Sequence, residues 1–168
     1  MKQTRLLAGI LLVLLLLSAA SCGVNSNSVK EPDEAGYFKF GNYVFAIDAE
    51  VTDAVLEQFG EQTKVPANAP NCAFDGKGML YTFSGFEVET YAKNGKNYFY
   101  GVYLFDDSIS ADRESITIGS TKDEVLAAYG QADDAKEGSL TYHRKGMDLL
   151  FFFREDRVTN IYYLFSVE

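Results

Sequence analysis

The sequence is poor in the side chains that most often do chemistry: its 168 residues include one histidine, two cysteines and no tryptophan. A single imidazole, His143, excludes any metal site built on several histidines and leaves a hydrolase with one possible base. No G-x-S-x-G, H-E-x-x-H or glycine-rich phosphate loop occurs, so the common hydrolase, metallopeptidase and nucleotide-binding signatures are missing. Basic residues are also scarce, 15 against 24 acidic ones, a net charge of −9. Such a balance opposes binding to nucleic acid or to anionic lipid head groups. Nothing in the sequence calls for a cofactor or a metal.

The longest apolar run is short as well. Leu6 to Leu17 are twelve uncharged residues behind Lys2 and Arg5. A membrane-spanning helix needs about 20, so the run fits the core of a signal peptide. Ser18-Ala19-Ala20-Ser21 then leads into Cys22. Small residues suit the extended groove of a peptidase, and a thiol directly after them can take a diacylglyceryl group. Ser21-Cys22-Gly23 resembles the lipobox of bacterial lipoproteins, with Ala19 where leucine is usual. The resemblance implies a signal peptide over 1–21, lipid (palmitate-type acyl chains) on Cys22, and a protein held at the extracytoplasmic face of the cell membrane. Ordinary cleavage after Ala20 or Ser21, and an uncleaved anchor, stay open as alternatives. Two or three acyl chains hold a protein stably where one does not.

Residues 22–36 are polar and aperiodic and read as a flexible tether. From Tyr37 about 130 residues remain, enough for a core. Loss of Lys2 and Arg5 leaves 13 basic against 24 acidic residues, a net −11. With Cys22 lipidated, Cys72 has no partner within the chain, and stability must come from packing.

An internal repeat organises this domain. Val55-Leu56-Glu57-Gln58-Phe59-Gly60 matches Val125-Leu126-Ala127-Ala128-Tyr129-Gly130 at an offset of 70 residues. In the second copy Thr121 and Glu124 have capping-box spacing and Gly130 can end the helix. Strand-like runs follow each helix: 80–83, 86–91 and 98–105, then 139–143, 147–153 and 158–165. Asn94-Gly95 signals a type I′ hairpin. A further strand is expected at Tyr37 to Ile47, where Phe38 and Phe40 alternate with Tyr37 and Lys39. The pattern predicts an α+β fold: two tandem helix-β-β-β repeats, 37–110 and 111–168, forming antiparallel sheet with short helices on one face.

Ile116 to Gly130 carries an I-x-I-G-x-T-K-x-E-V-L-x-x-Y-G signature, and Ala46 to Gly60 carries its second half, with Asp48 in place of glycine. These units resemble the β-lactamase inhibitory protein fold and the small outer-membrane assembly lipoproteins. Ala69 to Gly76 followed by Tyr81 to Tyr91 is similar to uncharacterised lipoproteins of Gram-positive gut bacteria. The resemblance implies a BLIP-like fold; it lends no activity, because fold does not determine function.

If Val88, Val102, Leu149 and Ile161 face the helices, period-2 alternation turns Glu87, Glu89, Tyr91, Tyr103, His143, Asp148, Phe152 and Tyr162 to the other side. With 11 tyrosines and 13 phenylalanines in the chain, the short helices cannot cover every ring. An aromatic face ringed with acids has the composition of a protein-contact patch; the alternative is that loops or the opening strand cover it. Other acidic groupings read as loops. Asp106 to Asp112 lacks the glycine and closing glutamate of a calcium loop, and Glu87 with Glu89 share a strand face without another glycosidase feature. The expectation is a lipid-anchored, non-catalytic protein-interaction module (inhibitor- or assembly-factor-like) with an envelope or secreted protein as partner. A small-ligand or cell-wall glycan binder is the alternative.

Overall fold

A computed structural model of the chain describes residues 36–69, 78–113 and 115–166. The signal peptide, Cys22 and all but the last residue of the tether lie outside the described residues, as does Cys72. Two strands, β1 (Tyr37–Phe40) and β2 (Tyr43–Ala46), open the domain as an antiparallel hairpin turned at Gly41. A first helix, α1 (Asp53–Gln58), precedes β3 (Ala67–Asn68), β4 (Gly78–Thr82), β5 (Phe86–Lys93) and β6 (Lys96–Leu104). A second, α2 (Lys122–Tyr129), precedes β7 (Asp134–Lys136), β8 (Ser139–Arg144), β9 (Met147–Arg154) and β10 (Arg157–Phe165). The last eight strands make one antiparallel sheet in the order β3-β4-β5-β6-β10-β9-β8-β7.

The α+β expectation is overturned. Strands take 49% and helices 11% of the structure, so the fold is mostly β. The physical reason lies in the helices, which span six and eight residues and each bury one side chain, Leu56 in α1 and Val125 in α2. Neither can cover a sheet. That work falls to the β1–β2 hairpin, which was expected as one strand. Each run of strands also has four members where three were expected. The additions, β3 and β7, are two and three exposed residues with no apolar alternation. They end the sheet in short edges, and Asp134 and Lys136 put charge on one of them, features that oppose pairing with another sheet.

The core lies between the sheet and the hairpin. Phe38 and Phe40 are fully buried, with Phe59, Phe86, Phe99, Tyr163 and Phe165 around them. Val88, Val102, Leu149 and Ile161 face it from the central strands, all 0% exposed. The helix ends are local chemistry. Thr52 caps α1 through the Val55 N–H, and Thr121 and Glu124 close a full capping box on α2. Among the described residues no helix is long and apolar enough to cross a membrane.

The connector between β6 and α2 divides the acidic run in two. Asp106 accepts the Ser108 N–H in an exposed turn. Asp112 instead turns inward to Arg144 and Tyr129, so the two carboxylates serve separate places.

Two tight turns share one backbone geometry but differ in chemistry. Asn94 and Gly95 have φ of +53° and +78°, as a type I′ turn requires. Glu155 and Asp156, between β9 and β10, have +52° and +59° without a glycine. Left-handed backbone costs an ordinary residue about 1–2 kcal/mol. This turn is held from outside: the Asp156 carbonyl accepts the Lys122 N–H at 2.9 Å, and Val158 exchanges hydrogen bonds with Gly119 and Ser120. Replacing Glu155 by Asn together with Asp156 by Gly should therefore stabilise the chain by about 1–2 kcal/mol. Urea unfolding checks this, and an unchanged or lower midpoint contradicts it.

Candidate functional site

The hairpin and both helices pack on one face of the eight-stranded sheet. The candidate site is on the other. Register, more than sequence spacing, decides which outward side chains meet there. Across the central strands Thr82, Glu87, Tyr103, Tyr162 and Leu150 form one row. Leu80, Glu89, Gly101, Leu164, Asp148 and His143 form the next.

Between the rows runs a groove of about 430 Å³ whose lining includes Leu80, Glu87, Glu89, Tyr103, Phe105 and Tyr162. A glycine shapes it. A Cβ on Gly101 would lie 2.3 Å from the Tyr103 hydroxyl oxygen, so the missing side chain is what lets the tyrosine ring lie along its own strand. Glu89 is the direct neighbour of Gly101 across the β5–β6 ladder. The ring consequently reaches it, and Tyr103 donates to Glu89 Oε2 at 2.5 Å. Burial, reinforced by the carboxylate, pushes the Tyr103 phenol well above its ordinary range and keeps it a donor. Glu87 is oriented by the Thr82 hydroxyl at 3.0 Å, while the exposed Lys64 ammonium stands 3.6 Å away. Three rings continue the site along the face. Tyr103 and Tyr162 meet edge-to-face at 4.9 Å, and Phe152 lies 4.8 Å from Tyr162.

Four of the eight residues singled out from sequence, Glu87, Glu89, Tyr103 and Tyr162, line the groove, and Phe152 adjoins it. The other three do not join them. Tyr91 is buried at the far end of β5 with its ring 5.7 Å from Tyr98. His143 and Asp148 face each other across β8 and β9, toward the opposite edge of the sheet. Sequence reasoning passed over Leu80, Phe105 and Gly101. Phe105 was within reach of it, since it stands two residues beyond Tyr103; it is 44% exposed. A glycine among aromatic strand residues was a signal of close approach.

His143 belongs to a separate exposed cluster. Its Nδ1 lies 2.8 Å from Asp148 and its Nε2 3.0 Å from Asp134. These two bonds, Asp148 first, raise the imidazole pKa above its ordinary 6.5. A raised folded-state value means the interaction stabilises the fold fully below pH 6.5 and is lost as pH climbs through the folded midpoint. Because the chain has one histidine, its NMR titration is unambiguous. The midpoint should exceed 6.5 and fall in Asp148→Asn more than in Asp134→Asn. A wild-type midpoint at or below 6.5 refutes the arrangement.

The groove can hold and orient a ligand. Its described lining residues include no imidazole, thiol or aliphatic hydroxyl; the one hydroxyl beside a carboxylate, Tyr103 on Glu89, is held as a neutral phenol, and the imidazole belongs to the other cluster. No family model, curated protein or solved structure matches the chain. Geometry must carry the functional reading.

Proposed function

We propose that this chain is a lipoprotein anchored through Cys22 at the extracytoplasmic face of the membrane, where it acts as a non-catalytic protein-interaction module. The observation that carries the reading is the one-sided arrangement of the sheet. Among the described residues both helices and the hairpin pack on one face, while the other presents an aromatic groove bordered by two glutamates. Exposed aromatic surface of this kind suits a contact with another protein. The lipid on Cys22 and the polar segment 22–36 supply the tether.

A photo-crosslinking side chain placed at Asn160, on the groove, in the producing cell tests the contact. The same group at Ala127, exposed on α2, is the control. A protein adduct at Asn160 alone, lost when Tyr103, Phe152 and Tyr162 become alanine, is the expected result. No adduct, or equal adducts at both positions, sinks the proposal. The anchor is tested separately: labelled palmitate should enter the chain and be absent from Cys22→Ser.

A second reading has one specific observation behind it. The groove volume falls within the range of about 300–1,000 Å³ common to small-molecule sites. A cell-wall glycan or other small ligand specific to the native state would raise the melting temperature, and a panel of such compounds that left it unchanged would remove this alternative.

A further inference from the structure

We propose that His143 is a proton-operated catch on the outermost strand: as imidazolium it fastens β7 to the sheet through Asp134, and as neutral imidazole it releases that hold. The geometry of the ring carries this. Nδ1 stands 2.8 Å from Oδ1 of Asp148, and Nε2 stands 3.0 Å from Oδ2 of Asp134. Both carboxylate oxygens are acceptors, and only the imidazolium carries a proton on each nitrogen. A neutral ring donates once and turns a lone pair toward the other carboxylate. One of the two bonds therefore breaks when the proton leaves.

The strands decide which side yields. Asp148 belongs to β9, eight residues laddered to β8 on one side and β10 on the other. Asp134 opens β7, three exposed residues whose ladder runs to β8 alone. Carboxylates reach His143 from both neighbouring strands: Asp148 from β9, Asp134 from β7, and Asp133, just before β7, which accepts the His143 backbone N–H at 2.7 Å. The nearby cations are Lys136, two residues along β7 from Asp134, and Lys145 in the β8–β9 turn. Arg144, the next residue on β8, turns to the opposite face, onto Asp112. The Asp133 bond needs no proton on the ring, so β7 loosens without leaving the sheet. Since β7 is what covers the edge of β8, the catch decides how often that longer edge is bare. The two carboxylates hold the imidazole pKa above its ordinary 6.5. The catch is therefore closed below that pH and opens as pH rises through the folded midpoint.

The test is exchange of backbone amides with solvent in the ¹⁵N-labelled full-length chain in non-ionic detergent, about one pH unit below and above the His143 midpoint. Dividing each rate by that of an unstructured peptide at the same pH removes the base catalysis of exchange. Protection of Asp134–Lys136 should fall about two- to fivefold across the midpoint, the scale of an exposed ion pair. Protection in β6 and β10 should not change. Asp134→Asn removes the charge that calls for the second ring proton, and His143→Gln removes the titrating ring; in each the fall should vanish. The side chains of His143, Asp134 and Asp148 are 54%, 59% and 46% exposed, so these variants leave the core intact. Protection of β7 that stays constant through the midpoint overturns the proposal. So does a fall that persists in Asp134→Asn, or one that β6 and β10 share equally, which would report loosening of the whole sheet. A His143 midpoint identical in Asp134→Asn and wild type would show that the ring does not hold β7.

Discussion

Asp112→Ala lowers the unfolding free energy by about 3–5 kcal/mol, the scale expected when one partner of a buried ion pair is removed. The side chains of Asp112 and Arg144 are 4% and 7% exposed, and Arg144 donates to Asp112 Oδ2 at 2.5 Å. The other carboxylate oxygen accepts from the Tyr129 hydroxyl at 2.5 Å, and the Asp112 N–H donates to the Tyr163 hydroxyl at 2.9 Å. Two guanidinium groups lie over the Tyr129 ring, Arg113 at 5.7 Å and Arg144 at 5.6 Å from its centre. Burial first, then the Asp112 charge, pushes both phenols far above their ordinary range, so they stay neutral. The Asp112 carboxylate thus ties the β6–α2 connector to α2 and β8, and its backbone N–H ties it to β10. Alanine removes a carboxylate that pairs with Arg144 and accepts from the Tyr129 hydroxyl where the ion-paired side chains are only 4% and 7% exposed. The penalty comes from groups left behind more than from a bond lost. Asp112→Leu combined with Arg144→Met should therefore recover most of the stability, since apolar replacement of a buried pair is often neutral. Urea unfolding followed by far-ultraviolet circular dichroism measures both. A loss under 1 kcal/mol for Asp112→Ala, or a double variant as weak as the summed single ones, refutes this account.

Asp112 also shows where sequence reasoning runs out. Its neighbours Asp106 and Asp107 are acidic and exposed, and nothing local separates an inward carboxylate from an outward one. The partners are Arg144 and Tyr129, 32 and 17 residues away, brought near only by the completed sheet. Features set by local chemistry were legible. The Thr121–Glu124 box, the Asn94–Gly95 turn and the alternation of Val88, Val102, Leu149 and Ile161 all depend on close neighbours. The fold class was misjudged because helix signals are strong even for two turns, whereas β3 and β7 carry no pattern to read. Ladder pairing is all that defines them. The candidate site was legible as a face and not as a groove. Alternation assigns Tyr91, Tyr103 and His143 to one side, but register alone puts Tyr103 opposite Glu87 and Gly101 opposite Glu89, so that of the three only the Tyr103 ring can reach Glu89. A glycine with no side chain to notice then completes the contact.

The hairpin gives the second large effect. Phe40→Ala should destabilise the chain by about 3–5 kcal/mol, and Phe40→Leu by about 1–1.5 kcal/mol. A two-stranded hairpin is marginal alone in water, and among the described residues β1–β2 pairs with no other strand. Its attachment is therefore largely side-chain packing. Phe40 is 0% exposed and touches Phe59 at the end of α1, Phe86 in β5 and Tyr163 in β10. Phe38, beside it, reaches Phe99 and Phe165. Truncating Phe40 opens a cavity against Phe86 and Tyr163, whose backbones belong to the eight-stranded sheet and cannot close in, which places the cost at the upper part of the range for a core deletion. Leucine refills much of that volume and loses mainly the ring contacts. The location of the damage separates this from general unfolding. Hydrogen exchange should show β1 and β2 amides losing protection in Phe40→Ala while β5, β6 and β10 keep theirs. The groove lies on the far side of the sheet, so the Tyr103–Glu89 contact should survive under native conditions. Uniform loss of protection, or a stability change under 1 kcal/mol, would show that the hairpin does not hold the core as its packing indicates.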